Sequence, residues 1–333
     1  MKNVLKRRAF ACADLMVLVT MGMIVLALIC VMLPQQRRAA QLFESMGQMK
    51  ELHTGYATYA LDNADYVATF TWRAQTTYNS QWADLRFGSD EASAAGNQAT
   101  DLIRRRFNAS YPTTTNWIPH ILYSFLVLGD YLNTPVPWRV SASPADTNLL
   151  LWQSDPTRWQ QFGLPAQRWC FSSSYELGTA FWAKDITTST AGGVAPSSTH
   201  NTYTILQSTS PATNPALGTR RLSEVVYPAQ KAMIYDRYQR HYGSRIAFFG
   251  YAEAKVPIMA ADGAAQVRTT ELTNRGFNPQ NPTVLGPVSY SYSPQAYEPP
   301  APPSTGTNVF GYYRWTRSGL RGIDFEGAEI PWQ

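Results

Sequence analysis

From Leu15 to Leu33 the chain runs 19 residues without a charged side chain. As a helix rising about 1.5 Å per residue, such a run is roughly 28 Å long, close to the hydrocarbon thickness of a bilayer. No other feature limits the fold as much. In lipid every backbone polar group must be satisfied within the segment, so the run reads as one continuous helix. Lys2, Lys6, Arg7 and Arg8 precede it, and a single acid, Asp14, stands at its start. A carboxylate on a membrane helix costs up to about 2.5–3.5 kcal/mol at the bilayer centre, so an acid in this position points to a use.

The run is longer than the roughly 7–15 apolar residues of a cleaved secretory signal, and it ends in Val31-Met32-Leu33-Pro34 rather than in small residues. A lipoprotein signal needs small residues before its cysteine, whereas Leu28-Ile29 precede Cys30. A plain single-pass anchor and a processed filament-subunit terminus both fit the run itself.

The segment Arg8-Ala9-Phe10-Ala11-Cys12-Ala13-Asp14, followed by the apolar run, resembles the type IV prepilin motif of pilins and type II secretion pseudopilins. Ala9 stands at the family's glycine, Asp14 at its glutamate, and Pro34 where many pilins carry a helix-kinking proline. The resemblance implies cleavage between Ala9 and Phe10 by a prepilin peptidase and methylation of the new Phe10 amine. It also implies an assembly role for Asp14, whose carboxylate meets the Phe10 amine of a neighbouring subunit. Opposite charges side by side in a low dielectric make such a buried acid tolerable.

Only 15% of residues are charged, which suits a secreted or surface-exposed chain. The net charge is +5, and the leader through Ala9 holds four of those positive charges, so a nucleic-acid partner has little support. Of the three cysteines, Cys12 and Cys30 lie in the apolar helix and Cys170 has no soluble partner, so no disulfide framework exists. Aromatic residues make up 13%, and their packing must supply much of the core.

Beyond Pro34 a second helical half is expected to reach Asp62. Ala39, Leu42, Phe43, Met46, Met49, Leu52, Tyr56, Tyr59 and Ala60 recur mostly at steps of three and four, one apolar stripe suited to packing on a sheet. Gly47 and Gly55 mark bends or close approaches. The segment Met49-Lys50 to Asp62-Asn63 is similar to the end of the pseudopilin helix. Tyr66–Trp72 reads as a strand, Thr100–Phe107 as a short basic helix, and Asn116–Gly129 as a buried helix stopped by its glycine. Arg104-Arg105-Arg106 reads as a solvated face in preference to a phosphate site. Ser143-Pro144-Ala145-Asp146 stands where large pilin-like proteins carry a Cys-Pro turn. Trp169–Gly178 reads as a strand, 186–215 as an exposed polar loop, and Lys231–Tyr235 as an apolar strand. Asp262-Gly263 between apolar runs predicts a hairpin over Val256–Arg268. Residues 279–307 form a Pro-rich arm, and strand character returns over Val309–Trp315.

No catalytic motif stands out. His53, His120, His200 and His241 are scattered, and no cysteine or histidine spacing suggests zinc. Asp236 and Asp262, if neighbours across a sheet, are the one candidate pair for calcium, which some pseudopilins hold in a C-terminal loop. Spacing does not assemble the about 6–8 oxygen ligands such an ion takes, and Asp262 reads first as a turn residue. No other cofactor is expected.

The expected fold is α+β, a long N-terminal helix packed on an antiparallel sheet in a loop-rich head. The expected divisions are a leader over 1–9, a transmembrane half over 10–33, an amphipathic half over 34–62, a β-rich head over 63–278, the arm over 279–307 and a C-terminal strand segment over 308–333. The function that follows from the resemblance is structural and not enzymatic: a subunit polymerising with copies of itself into a type IV pilus or type II secretion filament. Its partners would be membrane lipid before assembly, the prepilin peptidase and an inner-membrane assembly platform. It would span the inner membrane once with a periplasmic head, and later join a periplasmic or extracellular filament. The alternative is a membrane-anchored or pilus-tip adhesin that stacks glycans on its aromatic residues. A membrane-tethered hydrolase has no motif behind it.

Overall fold

A computed structural model describes residues 2–114, 118, 120–132, 137–158, 169–185, 194–200, 203–208, 217–243, 246–279, 282–290 and 307–331. Helix α1 runs unbroken over Lys2–Asp62, through Pro34. It stops where Ala64 and Asp65 turn left-handed, with φ of 52° and 71°. The Asn63 side chain donates to the Tyr59 carbonyl (2.8 Å) and the Asp65 amide to that of Ala60 (2.7 Å), satisfying carbonyls the last turn leaves open.

Among the described residues three shorter helices follow, α2 (Glu91–Arg106), α3 (Thr147–Ser154) and the single turn α4 (Thr179–Trp182). The strands are β1 (Tyr175–Leu177), β2 (Val194–His200), β3 (Tyr203–Ser208), β4 (Ala232–Asp236), β5 (Tyr238–Gln239), β6 (Ala247–Phe248), β7 (Lys255–Ala260), β8 (Ala265–Thr269), β9 (Val288–Tyr290) and β10 (Thr307–Val309). The central sheet is antiparallel in the order β1-β4-β7-β8. β2 with β3, β5 with β6 and β9 with β10 make two-stranded ribbons. The chain is therefore α+β, an apolar N-terminal helix joined to an antiparallel sheet. The second half of α1 packs against β7, β4 and β8.

The β7–β8 hairpin turns as its Asp-Gly pair predicts. Gly263 sits at φ 83° and donates to the Ala260 carbonyl (2.9 Å), and the Asp262 carboxylate accepts from the Ala264 amide (2.9 Å). The aromatic share goes largely inward. Trp138, Trp182, Trp315, Tyr56, Tyr111 and Tyr235 are among the largest fully buried side chains.

Several local expectations are corrected. Tyr66–Trp72 joins no sheet beyond a single bridge from Tyr66 to Arg221. The Gln98 side-chain carbonyl accepts from the amides of Thr71 (2.7 Å) and Trp72 (3.0 Å), so a helix side chain replaces a partner strand. The basic helix begins nine residues earlier than Thr100. Asp90 caps it by accepting from the Ser93 amide (2.8 Å). Arg104, Arg105 and Arg106 close on Asp84, Asp101 and Asp130. Of the helix expected over Asn116–Gly129, Asn116, Trp117 and Pro119 lie outside the described residues, and Ser124–Asp130 is a 3-10 helix buried from Ser124 to Gly129. Gly129 does not end it; a Cβ there would stand 2.9 Å from the Trp138 ring, so the glycine makes room for that indole. Within Trp169–Gly178 only Tyr175–Leu177 is strand. Upstream, Ser172 donates to the Trp169 carbonyl (2.8 Å), Ser173 to the Ser141 carbonyl (3.0 Å), and Ser173 accepts from the Tyr175 amide (2.9 Å), local bonds that displace a ladder. The strand expected over Val309–Trp315 ends with β10 at Val309, and Tyr312–Arg314 form a 3-10 turn that points Arg314 inward. Part of the 186–215 loop is the β2–β3 ribbon. Most of the Pro-rich arm lies outside the described residues.

Candidate functional site: the N-terminal helix and its seat

Every described side chain of α1 from Ala13 to Ala40 is exposed. Between Leu15 and Leu33 these include fourteen large apolar groups, with Met16 73% and Leu18 71% accessible. Each would contribute about 1.5–3 kcal/mol if taken out of water, so this rod needs lipid or protein around it. It is the one described helix long and apolar enough to cross a membrane. Its polar groups are few. Thr20 returns its hydroxyl to the Met16 carbonyl (2.8 Å), and Pro34 withholds the amide that would meet Cys30. Asp14 is exposed and meets no hydrogen bond or ion pair among the described residues. The helix backbone continues through Ala9 and Phe10.

The second half of α1 is seated on the head by a narrower face than the expected stripe. Met49, Leu52, Tyr56 and Ala60 are buried, whereas Phe43 is 72% exposed. A Cβ on Gly55 would meet Leu128 at 3.4 Å, an ordinary packing distance, and Gly47 faces open space, so neither glycine is required by a close neighbour.

Polar contacts complete the seat. Arg38 donates to the Gly243 carbonyl (2.9 Å) and Gln41 to that of Pro144 (3.0 Å). Ser45, fully buried, lies 3.0 Å from the Ser143 hydroxyl and 3.1 Å from His241 Nε2. Gln48 accepts from the Tyr175 hydroxyl (2.6 Å), and Lys50 donates to Gly263 (2.9 Å). His53 Nε2 stands 3.0 Å from the Ala261 carbonyl.

Beneath Ser45 lies a buried charged group. Arg240 bridges Asp146 (2.7 Å) and Asp236, and the Ser174 hydroxyl donates to Asp146 (2.8 Å). Burial pushes the Asp236 carboxyl up to about 7 although Arg240 opposes it. Burial, helped by the Arg240 charge, pushes His241 down to about 4. The signs of these two shifts make opposite demands on stability. Unfolded His241 takes a proton below its ordinary value near 6.5 that the folded ring refuses, so its contribution is lost as pH falls from about 6.5 to 4. Folded Asp236 keeps a proton that the unfolded carboxyl releases above about 4, so its contribution is lost as pH rises from about 4 to 7. The two contributions therefore oppose each other across this window. In chemical denaturation His241→Gln should become less stable as pH rises, and Asp236→Asn more stable. Parallel curves for the three proteins would contradict this.

Asp236 and Asp262 do not share a site. The Asp262 amide bonds to the Pro228 carbonyl and the Ala261 amide to that of Lys231, ahead of the start of β4, whereas Asp236 closes its far end. No cluster of three or more His, Cys, Asp or Glu residues suited to a metal occurs among the described residues.

A second charged group fastens the C-terminal segment to the sheet. Arg314 and Glu176 are both buried, with Arg314 Nε 2.9 Å from Glu176 Oε2, and the Tyr235 hydroxyl donates to the same oxygen (2.7 Å). Lys231 reaches Asp324 at 3.2 Å, both 1% exposed. At the end of α1 furthest from the apolar rod, Ser223, Glu224, Val226, Tyr227, Arg321 and Ile330 line an open groove of about 420 Å³ with a single aromatic ring.

The sequence pattern did not single out Ser45, Gln48, Arg240 or His241 as seat residues. The only available signals were a serine interrupting the apolar stripe and the Ser143–Asp146 turn. Comparison with family models, with curated proteins and with solved structures finds no match to the chain.

Proposed function

We propose that the protein is a pilin-like structural subunit of a type IV pilus or type II secretion filament. The observation that carries this reading is one helix of two halves. The first half is apolar on every described face and begins with a lone acid. The second is seated on an antiparallel sheet. A monomer holds the rod in the inner membrane with its head on the periplasmic side. A filament holds it against the rods of other copies, where Asp14 meets the Phe10 amine released by the prepilin peptidase. Both environments remove the same apolar surface from water, so exchange between them costs little hydrophobic free energy. The specific gain is the ion pair, formed where no water competes. No catalytic role is assigned. The test is recovery of the chain in sheared or periplasmic filament fractions of its producing cell. Confinement to the membrane fraction under all growth conditions would refute the proposal.

A further inference from the structure

The stretch of α1 where rod becomes seat carries cations of a distinct kind. Many arginines of the head close on carboxylates, as Arg104 does on Asp84, Arg220 on Asp185 and Arg268 on Glu326. Arg37, Arg38 and Lys255 form no ion pair among the described residues, and all three are exposed. Arg38 and Lys255 are nonetheless connected. Arg38 spends one donor on the Gly243 carbonyl (2.9 Å), the adjacent Tyr242 is half-buried, and the Lys255 ammonium sits 4.7 Å from the centre of the Tyr242 ring. The Lys255 amide is itself held, donating to the Gln239 side chain at 2.7 Å. The nearest acids in sequence are Glu44, roughly 10 Å further along the helix than Arg37, and Glu253, both exposed.

The depth of this group follows from helix geometry. Arg38 lies five residues beyond Leu33, about 7–8 Å past the apolar run. With the rod in lipid, that is the headgroup layer, which extends about 5–7 Å on each side of the hydrocarbon core. Guanidinium and ammonium groups at this depth, beside a tyrosine, match phosphate oxygens in front and an amphipathic layer around them.

We propose that Arg37, Arg38, Tyr242 and Lys255 form a collar that binds the phosphate groups of anionic phospholipids and holds the head upright on the membrane. This rests on the membrane-anchored reading of α1. The collar would bind the monomer and be vacated when the rod leaves the bilayer, so it favours the unassembled state.

The experiment places the full chain in vesicles of phosphatidylcholine alone and of phosphatidylcholine mixed with phosphatidylglycerol. Flotation reads insertion, and amide hydrogen exchange over Tyr238–Gly243 reads the collar. With several cations near an anionic surface, exchange there should slow about tenfold in the anionic vesicles. The effect should vanish in high salt and in R37Q/R38Q/K255Q, while β4 and β7 keep wild-type protection. Inorganic phosphate added to the neutral vesicles should not reproduce it. Equal protection in both lipids, or equal protection by free phosphate, would overturn the collar while leaving the anchor intact. Failure to float with either vesicle would remove the anchor reading and the collar with it.

Discussion

Asp14→Ala is expected to abolish filaments and leave the head folded. Asp14 is exposed and about 46 Å along the helix from Ser45, the first fully buried residue of the seat. No described head residue touches it, so thermal unfolding of the head should not change. In the assembled state the carboxylate would lie among apolar side chains beside a neighbour's Phe10 amine. Removing one partner of a buried ion pair typically costs about 3–5 kcal/mol, because the other charge stays buried and uncompensated. That penalty recurs at every subunit, so a modest change per contact stops growth altogether. Asp14→Glu, which keeps the charge and adds one methylene, should restore filaments. The readout is filament yield in sheared fractions beside the melting curve of the same variants. Normal yield from Asp14→Ala would break the link between the acid and assembly.

Arg314→Met is expected to destabilise the head by about 3–5 kcal/mol. Arg314 and Glu176 are both fully buried, and Arg314 also lies 4.7 Å from the centre of the Phe249 ring. Methionine keeps much of the volume but leaves the Glu176 carboxylate with the Tyr235 hydroxyl and with Arg237 at 3.8 Å. Replacing both charges, in Glu176→Gln with Arg314→Met, should recover part of the loss, since the carboxylate that Arg314→Met strands is removed as well. Urea unfolding of the two single variants and the double variant measures this. A loss below about 1 kcal/mol for Arg314→Met would show that the pair is solvated in practice.

The parts of this structure that sequence reveals are those whose cause is local. The rod needs only its uncharged composition, and the end of α1 only the Asp62–Asp65 cluster. The β7–β8 turn needs only Asp262-Gly263. The seat is different. Ser45 meets Ser143 and His241 across 98 and 196 residues, and Arg314 meets Glu176 across 138. No periodicity records such pairs, because each partner alone reads as an ordinary polar residue. The strand expected over Tyr66–Trp72 fails for a related reason. Its composition suits a sheet, but the acceptor that meets Thr71 and Trp72 is the Gln98 side chain. Arg104, Arg105 and Arg106 likewise read as a basic run until Asp84, Asp101 and Asp130 close on them.

The account depends on the rod being released from its leader so that Phe10 carries a free amine. Mass spectrometry of the N-terminus of the protein from its producing cell tests this most directly. The account predicts a chain that begins at Phe10 with a methylated amine. A mature chain that retains Met1 and the basic leader through Ala9 would contradict it and leave α1 as a plain membrane anchor.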